Sequence, residues 1–285
     1  MSFEIEPLGE TFGAEIRDLD LSRPLSAAEA GALREAFFER RVLAVPKQAL
    51  NPRQLLEVSR RFGPDLEAHV LNQFHHPETP LIVVLSNRVV DGRPIGLKDG
   101  GSFWHSDNSY KARPAAATVL YAIEVPDDGG DTLFCDMTTA YDELPAQIRA
   151  RLDGLTATHD YGYRDEVAVR EGRLAVLSEA QRKATPPVRH PVVRRHPVTG
   201  RKALYISPGI TRAIDGLDEA ESEALKQQLF EHCLKPRYCL RYRWRAGDVV
   251  AWDNPSLMHS ATTKDLPAER PRTLWRTIIS GGPTA

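Results

Sequence analysis

Apolar positions along the chain fall into short runs with two distinct periods. A helical period first appears after Ser26, where Ala30, Leu33, Phe37 and Phe38 form an apolar stripe. Ser26 with Glu29 three residues on is a capping box, which satisfies otherwise orphaned N–H groups and predicts a helix start. Asn51 followed by Pro52 predicts a second start, and Gly63 its stop. Leu144-Pro145 breaks a further helical stretch that resumes from Gln147 to Leu152. Asp218 with Glu221 opens a last helix, whose stripe of Leu225, Leu229 and Cys233 predicts packing by one face.

Strand signals alternate irregularly with these helices, and no fixed-period repeat appears. Val42-Leu43-Ala44-Val45 and the run from Leu81 to Leu85 are continuously apolar and short, as buried strands are. Thr118 to Val125 and Thr132 to Cys135 flank Asp127-Asp128-Gly129-Gly130, which predicts a strand, a glycine turn of hairpin type and a second strand. From Tyr238 to Arg245 aromatic or aliphatic residues alternate with mostly arginine, the pattern of a half-buried strand with a solvated cationic face. Asp160 to Pro187 breaks the rhythm. It is polar, holds Gly162, Gly172 and Pro186-Pro187, and predicts a long irregular insert acting as a lid, with a mobile surface loop as the alternative.

With 285 residues and 41% apolar content the chain can bury a large core as a single domain spanning 1–285. The net charge of −2 provides no basic field for nucleic acid or anionic lipid. Cys135, Cys233 and Cys239 are odd in number and lack C-x-x-C spacing, so neither a disulfide framework nor a zinc cluster is expected. The N-terminus lacks a basic stretch followed by an apolar one, and no 18-residue apolar run occurs, so the expectation is a cytoplasmic protein without membrane contact.

Candidate chemistry centres on His105-Ser106-Asp107 and the distant His259. If Trp104 to Asn108 is extended, His105 and Asp107 point to the same side. The third group is expected from the end of the strand Val249 to Asp253, in the loop carrying His259. Two imidazoles and one carboxylate on one face of a ferrous ion leave three coordination positions open, as dioxygen chemistry with a chelating co-substrate requires. The run from Arg272 to Ile279 reads as a strand with Arg272, Leu274, Arg276 and Ile278 on one face. Two arginines pointing with aliphatic side chains are costly to bury unless each meets an anion. At about 3.3 Å per residue they stand roughly 13 Å apart, far enough to hold two different anions on either side of a metal. The alternative is an edge strand with two solvated arginines. His75-His76 has no partner at ligand spacing and is assigned no metal role.

Taken together, Trp104-His105-Ser106-Asp107, Gly129-Gly130-Asp131-Thr132-Leu133-Phe134, His190-Pro191-Val192-Val193-Arg194 with His196-Pro197, Trp252-Asp253-Asn254, His259, and Arg272 with Arg276 resemble the taurine and 2,4-dichlorophenoxyacetate dioxygenase family over nearly the whole chain. The resemblance implies a mainly β chain with flanking helices, on a double-stranded β-helix (jelly-roll, cupin-like) barrel. It implies Fe(II) held by His105, Asp107 and His259, with 2-oxoglutarate and O2 as co-substrates and release of succinate and CO2. Thr132 and Arg272 would bind the distal carboxylate of 2-oxoglutarate. Arg276 and His69 would hold the anionic head of a small organic substrate (a sulfonate, sulfate ester, phosphonate, aryloxy or other carboxylate), and Tyr161 would line its pocket. A homodimer or homotetramer is expected on the same ground. Where the taurine enzymes carry an asparagine shortly before the first metal-binding histidine, this chain has Gly100-Gly101-Ser102-Phe103.

Two other classes fit parts of the pattern. A zinc-dependent hydrolase also uses two histidines and a carboxylate, but it gives no reason for Arg272 and Arg276. A non-catalytic barrel binding a small acid would keep the arginines and dispense with the metal.

Overall fold

The computed structural model describes residues 3–170, 172 and 177–284. Its helix starts follow the capping chemistry. The Ser26 hydroxyl accepts the Glu29 N–H and the Glu29 carboxylate accepts the Ser26 N–H, opening Ala27–Arg40. Asn51 and Gln54 do the same for Pro52–Ser59, which ends ahead of Gly63. Asp218 accepts the Glu221 N–H at the start of Glu219–Cys233.

A nine-stranded sheet runs in the order Glu4–Pro7, Ala14–Arg17, Val42–Val45, Val249–Asp253, Ala115–Glu124, Thr273–Ser280, Thr79–Ser86, His75–His76, with Leu66–Glu67 also paired to Thr273–Ser280. A three-stranded sheet places Thr132–Asp136 between Cys239–Tyr242 and Leu257–Ala261. Between the two lies a core in which Val42, Ala44, Leu120, Val250 and Trp252 of the large sheet meet Phe134, Tyr242 and Leu257 of the small one. The outer face of the large sheet is covered by the first two helices, where Leu33, Phe37, Leu55 and Val58 pack on Leu43, Val45, Val119 and Ala251. Val42–Val45 is therefore apolar at every position because both of its faces are covered. The result is a mainly β, jelly-roll chain with flanking helices.

Four expectations are corrected. Ala115–Glu124 and Thr132–Asp136 do not form a hairpin, since they pair in different sheets; the turn at Gly129 and Gly130, both at positive φ, carries the chain from one sheet to the other. Trp104 to Asn108 is not a strand. It makes one bridge, at His105, and then turns, with Asn108 in the left-handed region at φ 53°. His259 lies within the strand Leu257–Ala261 and not in a loop. Finally, the stretch from Asp160 to Pro187 is not irregular: it holds the helices Tyr161–Arg170 and Glu179–Ala184, the second opened by a Ser178–Gln181 capping box. Positions 171 and 173–176 of that stretch lie outside the described residues. Among the described residues no helix is long and apolar enough to cross a membrane.

Candidate active site

His105 and His259 are joined by their backbones. The His105 N–H donates to the His259 carbonyl at 2.9 Å, the reverse bond is 2.8 Å, and the two rings lie side by side with centroids 4.2 Å apart. The Phe103 carbonyl lies 2.7 Å from His105 Nδ1, so that nitrogen carries the hydrogen and Nε2 turns a lone pair inward. The Nδ1 of His259 is buried without a partner.

Asp107 is held from three directions. Its Oδ2 accepts from the Thr118 hydroxyl at 2.7 Å, its N–H donates to Asn254 Oδ1 at 3.2 Å, and the Asn254 amide donates to the Thr118 oxygen at 2.9 Å. The Nε2 atoms of His105 and His259 stand 3.7 and 3.6 Å from the two carboxylate oxygens. These separations are too long for hydrogen bonds. One ligand atom from each residue lies within 4.8 Å of the others, and among the described residues this is the sole group of three or more His, Cys, Asp or Glu so arranged. Burial, reinforced by His105, pushes His259 down to about 3, so its ring is neutral at working pH. Burial alone would raise the Asp107 carboxyl, but His259, His105 and Arg276 outweigh it and hold it well below the usual carboxylate range. Two imidazoles and one carboxylate converging from one side suit a divalent metal with open positions opposite.

Two cavities adjoin this cluster. The first, of about 320 Å³, is lined by Thr132, Trp252, His259, Arg272 and Arg276 among others. Arg272 is buried in its wall, with Nε donating to the Gly130 carbonyl at 2.8 Å and its backbone N–H to Asn87 Oδ1 at 2.8 Å. Burial lowers it to about 10 against the opposing pull of Asp131, so it remains a cation. Glycine is favoured at position 130: at φ 71° it sits so close that a Cβ would lie 2.8 Å from Arg272 Cδ. The Thr132 oxygen accepts from the Trp244 indole at 3.0 Å, which leaves its hydroxyl hydrogen to donate.

The second cavity, of about 600 Å³, holds His69, Phe103, Tyr110, Tyr161, Arg164 and Arg276 and reaches His105 and Asp107. Its lining mixes aromatic and aliphatic side chains with polar ones, among them Asp99 and Asp165; Phe103 stacks on His105 at 4.5 Å, and Tyr110 stacks on Tyr161 at 4.3 Å and 10°. The Arg164 guanidinium lies 4.5 Å over Phe103. Arg276, buried and shared by both cavities, has one terminal nitrogen 3.7 Å from Asp107, while Nε and the other terminal nitrogen have no partner. His69 is driven well below its ordinary value by burial and by Arg276 and Lys111, so it too is neutral.

Every site residue expected from sequence thus lines one of the two cavities or the cluster between them. The sequence reading missed Thr118, Asn254, Trp244, Phe103, Tyr110 and Arg164. Asn254 and Phe103 had left a trace, the first in Trp252-Asp253-Asn254 and the second in the departure at Gly100 to Phe103. Other motif residues act at a distance from the cavities: His196 Nε2 lies 3.1 Å from both oxygens of Asp253, buried against Phe38.

Comparison with known proteins adds an independent line. Residues 4–278 match the profile of the taurine catabolism dioxygenase TauD, TfdA family. The chain is 35% identical over 281 residues to the alpha-ketoglutarate-dependent 2,4-dichlorophenoxyacetate dioxygenase of Cupriavidus pinatubonensis, covering 95% of this chain and 96% of that protein. It is 34% identical over 288 residues to the (S)-phenoxypropionate/alpha-ketoglutarate-dioxygenase of Sphingobium herbicidovorans, covering 100% and 97%. A taurine dioxygenase from Burkholderia xenovorans, known from its crystal structure, superposes with a TM-score of 0.83 at 30% identity over 100% of this chain and 93% of that one. The chain belongs to the TauD/TfdA family of alpha-ketoglutarate-dependent dioxygenases.

Proposed function

We propose that this dioxygenase oxidises a small organic anion with an apolar or aromatic body, aryloxy carboxylates first, with sulfonates, sulfate esters and phosphonates in the same class. The observation that carries the reading is Arg276: a buried guanidinium with two nitrogens lacking partners, on the wall of an aromatic cavity that reaches Asp107. Leaving two nitrogens of a buried cation without partners is costly, so a matching anion is the natural occupant. Relatives named for 2,4-dichlorophenoxyacetate, phenoxypropionate and taurine support an anionic head.

In this reading His105, Asp107 and His259 hold Fe(II), for which a donor set of two imidazoles and one carboxylate is suited. When bound, the metal supplies activation of dioxygen coupled to oxidative decarboxylation of 2-oxoglutarate to succinate and CO2, at the expense of a substrate C–H bond. Arg272 grips the distal carboxylate of 2-oxoglutarate through a bidentate, charge-assisted contact that lysine would not reproduce, and the Thr132 hydroxyl adds a donor. Arg276 with His69 grips the head of the substrate, which is positional catalysis and involves no proton transfer. Tyr161 supplies an aromatic wall, and Tyr161–Arg170 serves as the cover that keeps water from the reacting carbon. The whole chain acts as one catalytic domain. A zinc hydrolase and a passive acid-binding barrel are not favoured, because the family match extends over residues 4–278.

Succinate release from enzyme supplied with Fe(II), 2-oxoglutarate and O2 tests the reading across a panel of aryloxy acids, sulfonates, sulfate esters and phosphonates. At least one anion should stimulate release many-fold over the substrate-free rate. A panel in which neutral aromatics stimulate as well as anions would overturn the assignment of Arg276.

A further inference from the structure

One wall of the larger cavity carries a chain of hydrogen bonds that runs inward from the surface. At its outer end the Glu67 carboxylate pairs with Lys111 and accepts from the Ser280 hydroxyl at 2.7 Å. Asn108, one residue past Asp107, donates its side-chain amide to the same carboxylate at 3.1 Å. Tyr110 places its hydroxyl 3.1 Å from the Asn108 side-chain oxygen and 3.5 Å from His69 Nε2. His69 closes the chain, its Nδ1 receiving the backbone N–H of Leu71 at 3.2 Å.

Each link has one permitted direction. A carboxylate paired with a lysine only accepts, so the Asn108 amide must turn its NH2 toward Glu67 and its oxygen toward Tyr110. That oxygen only accepts, so the Tyr110 hydroxyl spends its single hydrogen there and turns a lone pair to His69. From the other side the Leu71 N–H requires a lone pair on His69 Nδ1. Both constraints agree: the one hydrogen of a neutral His69 ring sits on Nε2. At 3.5 Å the contact with Tyr110 is long and would yield to a closer, stronger acceptor.

Asn108 reaches this position through a backbone at φ 53°, a conformation that asparagine tolerates better than most residues. Stacking on Tyr161 fixes the Tyr110 ring. We propose that Asn108 and Tyr110 are positioning residues that hold His69 as a neutral imidazole with Nε2–H directed at the head-group end of the cavity, so that this subsite takes acceptor-only groups such as carboxylate or sulfonate. The proposal rests on that cavity being the substrate site.

The test reads the tautomer directly. In the 15N-histidine-labelled full chain, long-range 1H–15N spectra, with His69 identified by its loss in His69→Gln, should show a protonated Nε2 and an unprotonated, hydrogen-bonded Nδ1. In Asn108→Gly, which suits the left-handed backbone, the Tyr110 hydroxyl loses its acceptor, turns its hydrogen to His69 Nε2 and depletes that tautomer. The double variant Asn108→Gly with Tyr110→Phe has no hydroxyl left to compete and should regain the wild-type signature. A purely structural role would make the double variant worse. The KM for 2,4-dichlorophenoxyacetate should rise about tenfold in Asn108→Gly, the scale of one charge-assisted hydrogen bond, and partly recover in the double variant, with the KM for 2-oxoglutarate unchanged.

A wild-type His69 protonated on Nδ1, or on both nitrogens, overturns the proposal without any variant, and so does an Asn108→Gly spectrum identical to wild type. Because the spectra need no turnover, the expected tautomers in an enzyme that responds to no anion would sink the substrate reading and leave the relay standing.

Discussion

Thr118 donates its hydroxyl hydrogen to the Asp107 carboxylate across 2.7 Å, from the central strand Ala115–Glu124 of the large sheet. The same oxygen accepts from Asn254, so one hydroxyl fixes both the carboxylate and the amide that holds its backbone. Removing it should leave Asp107 able to bind metal but free to rotate. Thr118→Val, which preserves shape, is therefore expected to weaken metal affinity about 10- to 100-fold, the usual effect of losing a partner behind a metal ligand. Anaerobic titration with Fe(II) measures it, and an unchanged affinity would show that the carboxylate is held by other contacts.

His159 is fully buried and stacked on Tyr205 at 5.4 Å and 18°, with no side-chain partner for either ring nitrogen. Burial, with His190 nearby, pushes it down to about 3. In the unfolded chain it titrates near about 6.5, so acid favours unfolding. The stabilising preference for the neutral ring is complete above that pH and is lost as pH falls toward about 3. By pH 5 this one group should cost about 2 kcal/mol. Urea unfolding of metal-saturated protein at pH 7 and pH 5 should show the loss, and His159→Phe should shrink it; equal acid sensitivity in the two proteins would assign the effect elsewhere.

That His105, Asp107 and His259 converge, and that Arg272 and Arg276 are buried beside them, was legible in sequence because the motifs that carry these residues are specific when taken together. Thr118 and Asn254 were not, since a hydroxyl and an amide become meaningful only once distant strands bring them to Asp107. Period-two alternation tells which residues share a face, but not which sheet a strand joins, so the turn at Gly129 and Gly130 read as a hairpin. Tyr161–Arg170 was hidden for another reason. Its buried residues are Gly162, Arg164, Asp165 and Ala168, which form no apolar stripe for a helical period to reveal.

Gly130 lies against Arg272, and its two constraints act together: positive φ and no room for a Cβ. Gly130→Ala should push the Arg272 side chain off its contact with the residue-130 carbonyl while leaving His105, Asp107 and His259 untouched. The expected result is a several-fold or greater rise in the KM for 2-oxoglutarate with Fe(II) affinity within about twofold of wild type, on the view that displacing a positioned clamp by less than an ångström loses much of its value. A parallel loss of metal affinity would point instead to collapse of the turn between the sheets.

Arg272 and Arg276 stand four residues apart, one before and one within the strand Thr273–Ser280, and each faces a different share of the space around His105, Asp107 and His259. Arg276 also borders the smaller cavity, so the two roles are separable only by kinetics. Truncating either guanidinium removes a buried charge-assisted contact, a loss of about 2–5 kcal/mol that corresponds to roughly 30- to 5,000-fold in binding. Arg272→Ala should raise the KM for 2-oxoglutarate by that order and the KM for substrate little, and Arg276→Ala should do the reverse. Restoring charge without the fork, in Arg272→Lys, should recover only part of the loss, because an ammonium gives one contact where the guanidinium gives two parallel ones. If both alanine variants weaken 2-oxoglutarate alone, Arg276 belongs to the co-substrate site and the aromatic cavity must draw its substrate by means other than that cation.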